Sequence, residues 1–171
     1  DTFDFETATV GADLTTFYGA TGMDLIADGS VVANETIWGA APSGSIGARV
    51  SAGTTNSLEL SFASDVDAVA FRLVDPEGAF DVSASADGTS LFSGALLDID
   101  AGDRAGGAYV GLTFSEPVDS VVLEGAAADA FGIDDVTVLF AAATDRDGDG
   151  YSDDDGDCDD EDSAVSPEAS E

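Results

Sequence analysis

The 171-residue chain holds 36 Asp and Glu against 4 Lys and Arg, with no His, for a formal net charge of −32. That balance excludes a phosphate-neutralising nucleic-acid surface and a surface for anionic membranes, and the missing His excludes Ser-His-Asp and Cys-His catalytic sets. A hydrophobic fraction of 44% suits one ordinary domain with a buried core, the single Cys158 forms no disulfide within the chain, and no run of about 18 apolar residues is present to cross a membrane.

Taken in chain order, the first 144 residues read as strands. Thr2-Phe3-Asp4-Phe5-Glu6 alternates apolar and polar residues, the period of a half-buried strand. Ser57-Leu58-Glu59-Leu60-Ser61-Phe62 repeats that pattern more cleanly, and Val69, Phe71 and Leu73 then face one way across Arg72. Phe80-Asp81-Val82-Ser83 follows, and the stretches 109–114, 118–123 and 131–140 complete the series. Turn formers fall between the runs, as at Asp28-Gly29, Pro76-Glu77-Gly78 and Asp87-Gly88. The small-residue patch 125–130 is expected to be a loop, and no segment keeps a 3.6-residue period. About nine or ten short strands with turns every 8–12 residues imply an all-β fold, an antiparallel β-sandwich or jelly roll.

Composition changes near Thr144. Residues 145–171 carry 13 acids and one Arg, a net of −12, whereas residues 1–144 carry the other 23 acids and three Arg. The acidic segment is almost free of large apolar side chains, so its order must come from ions or a partner. The expected layout is a sandwich over 1–140, a connector over 141–144 and an acidic segment over 145–171.

The acidic segment has a chemistry of its own. Asp145, Asp147 and Asp149 alternate and Gly150 follows, the first half of an EF-hand loop. Alternation brings three carboxylates round one ion, Gly150 makes the sharp turn, and Tyr151 offers its backbone carbonyl. Asp153 stands at position nine. Position twelve is Gly156 rather than Glu, so the loop is not a strict EF-hand and its remaining ligand comes from Asp155, Asp157 or beyond. Asp157, Asp159, Asp160 and Asp162 make a second cluster that Glu171 could close. Crowded carboxylates repel one another unless cations sit between them. Calcium suits an irregular all-oxygen set, magnesium demands tighter octahedral geometry, and zinc and copper prefer His and thiolate. Calcium is therefore the expected cofactor.

Two resemblances sharpen this reading. The opening Phe3-Asp4-Phe5-Glu6, then Val69-Ala70-Phe71, Ser85-Ala86-Asp87-Gly88, Tyr109-Val110-Gly111-Leu112 and the ending Phe131-Gly132-Ile133-Asp134-Asp135-Val136-Thr137-Val138 together resemble galactose-binding-like jelly-roll domains of secreted bacterial proteins, above all those found near PEP-CTERM sorting signals. That resemblance implies a structural calcium shared by Glu6 and either Asp134 or Asp135, and a hard cation would take oxygens from both terminal strands. The tail, Asp145-Arg146-Asp147-Gly148-Asp149-Gly150-Tyr151 through Val165-Ser166-Pro167-Glu168-Ala169, is similar to MopE-type repeats, which are akin to the calcium repeats of type-3 thrombospondin modules. It departs from them at Glu168, where the repeat usually has Gly, and the repeat usually runs on to a second Cys that would follow Glu171.

Weaker signals favour ordinary packing or no role. Asn34-Glu35-Thr36 fits a glycosylation sequon that a bacterial protein need not use. Trp38, Tyr18 and Tyr109 could stack on a sugar ring, but each is also an ordinary sandwich residue. No nucleophile motif surrounds Cys158, and no catalytic residue is assigned. The sequence opens at Asp1 with no basic-then-apolar leader, as a mature or trimmed protein would, and an arbitrary boundary would look the same. The expected function is a non-enzymatic, secreted or cell-surface calcium-binding structural or adhesive module, a subunit of an extracellular assembly. The alternative is a calcium-dependent carbohydrate-binding module. Expected partners are calcium ions, with glycans or further copies of the chain, and neither nucleic acid nor direct membrane insertion.

Overall fold

In the computed structural model, residues 1–35, 46–51, 56–74, 80–96, 108–125, 131–142, 151–152, 156, 158–159 and 162–167 are described. The chain divides into two compact units, Asp1–Phe140 and Ala141–Glu171. The first is an antiparallel β-sandwich of nine described strands, β1 (Thr2–Phe3), β2 (Met23–Ala27), β3 (Ser30–Glu35), β4 (Ile46–Ser51), β5 (Ser57–Val74), β6 (Phe80–Ala86), β7 (Thr89–Leu96), β8 (Ala108–Gly125) and β9 (Phe131–Phe140). The one helical piece among the described residues is the 3-10 turn Gly19–Thr21.

Two strands of 18 residues each build both layers. The first half of β5 pairs with β2 and with the second half of β8, which pairs in turn with β6 and through it β7. The second half of β5 lies between β9 and the first half of β8, and β9 carries β4 and β1 on its other edge, with β3 beyond β4. The first sheet therefore runs β2-β5-β8-β6-β7 and the second β3-β4-β9-β5-β8. The period-2 patterns predict separate strands at 57–62 and 69–73, and likewise at 109–114 and 118–123. Each pair is one strand that leaves its first sheet at an irregularity. In β5 the alternation resets between Phe62 and Val66, where Ala63, Ser64 and Asp65 are all exposed. In β8 the break falls at Glu116-Pro117, and Pro117 has no N–H to give to a ladder.

Burial follows the alternation. Leu58, Leu60 and Phe62 of β5 face inward with Met23 and Leu25 of β2, Val82 and Ala84 of β6, and Val121 and Leu123 of β8. From the second sheet come Val31, Val50, Val69, Phe71, Leu73, Phe131, Ile133, Val136 and Val138. Phe80 of the first sheet meets Phe131 of the second edge to face, with ring centroids 5.1 Å apart at 83°. The opening segment is a strand only at Thr2–Phe3, shorter than the expected Thr2 to Glu6, yet Phe5 and Leu14 beyond it are fully buried.

β9 contains one extra residue. Ala70 of β5 pairs with Thr137 while Arg72 pairs with Asp134, so two residues on β5 span three on β9. This is a β-bulge, and Asp135 takes it up with φ of 51°. Asp tolerates the left-handed region, but a β-branched side chain there is strained. Asp135→Val should therefore cost about 1–2 kcal/mol and Asp135→Gly nothing, read by urea denaturation in chelator so that metal binding does not enter.

Candidate functional site

The pairing of β1 with β9 (Thr2 with Thr137, Phe3 with Val136) carries the chain toward the bulge of β9. Glu6 lies just past that pairing, and its Oε1 accepts the N–H of Ile46 at the start of β4, 2.9 Å away. The next residue, Gly47, lies beside Asp134. A Cβ built on Gly47 would stand 3.8 Å from both Cβ and Cγ of Asp134. The absent side chain thus leaves room for that carboxyl. Asp134 is fully buried, and its Oδ1 accepts the N–H of Asp135 at 2.9 Å. Glu6 and Asp134 accordingly meet consecutive residues of β4, Ile46 and Gly47 respectively, while Asp135 stands half-buried in the bulge.

Tyr18 marks the charge of this neighbourhood. Its ring packs on Phe3, Phe5 and Phe17. Burial first, then the charges of Asp4 and Asp134, push its hydroxyl up to about 12. The oxygen-only donors present, two carboxylates with neighbouring carbonyls, suit a hard cation such as calcium. Among the described residues no group of three or more Asp, Glu, Cys or His converges to hold a metal, so carbonyls or water would have to complete such a site.

Of the acidic segment's expected ligands, Asp145, Asp147, Asp149, Asp153, Asp155, Asp157, Asp160 and Glu171 lie outside the described residues. Tyr151 is half-buried beside the buried Ser152, while Asp159 and Asp162 are exposed. Asp159 and Asp162 belong to one tight turn. The N–H of Asp162 donates to the carbonyl of Asp159 at 2.8 Å, and Oδ1 of Asp162 accepts the N–H of Ala164 at 3.1 Å. Gly156 holds a left-handed φ of 93°.

The sequence reading missed most of a third feature, the outer face of the second sheet. Cross-strand register stacks its rows: Leu139, Ala68 and Thr113; then Thr137, Ala70 and Gly111; then Asp134, Arg72 and Tyr109. The first two rows line a shallow groove of about 190 Å³. Its floor is made of small side chains, and Leu139 at one end is 61% exposed. Tyr109 in the third row is 66% exposed, the most exposed large apolar residue described. Of the three aromatics considered for sugar stacking, Tyr18 is committed to packing and Trp38 lies outside the described residues. The outer face of the first sheet differs. Asp81, Ser83, Ser93 and Glu124 line a groove of about 220 Å³ there, and Ser85 and Ser120 share a hydroxyl hydrogen bond of 2.7 Å.

No protein-family model matches the chain, and no curated protein matches it. Among solved structures, the arabinose-bound MgGH51 α-L-arabinofuranosidase is similar at a TM-score of 0.51 and 13% identity, over 79% of this chain and 25% of that one. The chain thus spans about a quarter of the hydrolase's length, and the likeness is one of fold. TmCBM61 in complex with β-1,4-galactotriose gives a TM-score of 0.49 at 17% identity, over 81% of this chain and 94% of that one. CBM35 from Paenibacillus barcinonensis gives 0.45 at 16%, over 82% and 99%.

Proposed function

We propose that residues 1–140 form a glycan-binding module with a secreted or cell-surface adhesive role, stabilised by calcium between its terminal strands and in the acidic segment. The observation that carries the glycan reading is Tyr109, an aromatic ring two-thirds exposed one register row beyond a shallow groove floored by Ala68, Ala70 and Gly111. A pyranose ring lays its apolar C–H face on such a platform, and its hydroxyls reach polar groups such as Thr113, Thr137 and Arg72 around it. Carboxylate pairs occur throughout the chain and single out no acid–base set, so the reading rests on the exposed aromatic face, a binding surface. Tyr109→Ala touches no core contact and should lower affinity for a bound polysaccharide at least about tenfold, the worth of one good aromatic contact. Affinity gel electrophoresis against galactan, arabinan and xylan measures it. Unchanged retardation by the variant would reject this face.

The calcium part has its own test. If Glu6 and Asp134 hold an ion only in the folded sandwich, calcium at about a hundred times its Kd adds about 2.7 kcal/mol of stability. For a chain of this size that is a rise of about 5–10 °C in melting temperature. Asp134→Asn and Glu6→Gln should abolish the rise in a chain cut after residue 142, whose sandwich is a compact unit of its own. A calcium shift retained in both variants would remove these residues from the site.

A further inference from the structure

The cationic side chains of the described residues lie on one outer face of the sandwich. Arg49 and Arg72, the only cationic side chains among the described residues, both point from the outer face of the second sheet, since their neighbours Ala48, Val50, Phe71 and Leu73 are buried. The outer face of the first sheet carries Asp24, Glu59, Asp81 and Glu124 and, among the described residues, no cation. Arg72 is the direct cross-strand partner of Tyr109, so guanidinium and ring project from the same face within reach of one ligand. On its other side Arg72 is paired in register with Asp134, but that carboxyl is buried and accepts the N–H of Asp135. Among the described residues Arg72 has no hydrogen bond or ion pair. In a chain with 36 acids for 4 basic residues, an arginine with no ion pair among the described residues can take a carboxylate from a ligand.

The geometry points to a saccharide bearing a carboxylate, a uronate, as the ligand of this face. Its ring stacks on Tyr109 and its carboxylate takes the two-pronged guanidinium of Arg72. This rests on the glycan-binding reading and adds the sugar class. The chain's net charge of −32 does not forbid it. At physiological salt the field of distant acids is screened over about 8 Å, so the local face decides.

The test is calorimetric titration in calcium-containing buffer at about 0.15 M salt, with tetragalacturonate and its full methyl ester as ligands. The two share a backbone; esterification removes the negative charge and adds one methyl group at each carboxyl. The acid should bind about tenfold or more tightly than the ester, the worth of a charge-assisted hydrogen bond. Arg72→Ala should bring the two affinities together, Arg72→Lys should leave a reduced preference, and Tyr109→Ala should weaken both. Equal binding of acid and ester by the native chain, or a preference that survives Arg72→Ala, overturns the uronate assignment while the glycan reading stands. Binding of neither, or affinities untouched by Tyr109→Ala, overturns both.

Discussion

Chelating calcium is expected to expose residues 145–171 to protease within minutes while residues 1–140 stay intact. The segment holds 13 acids and one Arg, and two carboxylates about 4 Å apart repel by roughly 1–4 kcal/mol between water and a protein surface. Its large apolar groups are Tyr151 and Val165 alone, far too few to offset that repulsion and the entropy of ordering. Calcium bound by the Asp145-Asp147-Asp149 loop and by the cluster from Asp157 to Asp162 would reverse the sign of the interaction, and its binding energy would then be the segment's folding energy. The sandwich has an apolar core of its own, so losing calcium should lower its melting temperature without unfolding it. Limited proteolysis with and without chelator, followed by mass spectrometry, separates the two units. Equal resistance of the segment in both conditions would show that calcium does not hold it.

Phe131→Ala should cost about 3–5 kcal/mol, a large share of the roughly 5–15 kcal/mol that holds a domain folded. Phe131 is 1% exposed and opens β9, where it is paired with Val50 of β4. Its ring is also the partner of Phe80 across the two sheets. Truncation therefore leaves a cavity between the layers rather than a dent at the surface, and strands fixed by two ladders cannot collapse into it. Urea denaturation of the single variant gives the number. A loss below about 1 kcal/mol would mean that the two layers are not joined there.

Legibility in the sequence tracked the range of the interaction involved. Period-2 patterns such as Ser57-Leu58-Glu59-Leu60-Ser61-Phe62 identify strands, because burial of alternate side chains is a local property of the pleat. β2, β3, β4 and β7 have mixed faces and went unnamed. Val32 and Ile26 are apolar on positions that look outward, so no clean alternation appears. The joining of two patterns into one 18-residue strand was hidden because Asp65 and Pro117 resemble turn residues. The pairing of Glu6 with the bulge of β9 rests on a resemblance; the structure sets Glu6 against Ile46 and Asp134 beside Gly47. The Arg72–Tyr109 pair was beyond the sequence. Each lies on an outward position of its own strand, but their meeting depends on a register between residues 37 apart along the chain, which no local pattern encodes.

The outer face of the second sheet is the surface proposed to bind glycan. Amide chemical-shift mapping by NMR, with isotope-labelled protein titrated with oligosaccharide in calcium, tests it most directly. Shifts should concentrate on Ala68, Ala70, Arg72, Tyr109, Gly111 and Thr137, with Ser83, Ser85, Ser93 and Glu124 of the opposite sheet unmoved. Shifts confined to that opposite sheet, or none with any saccharide at millimolar concentration, would contradict it.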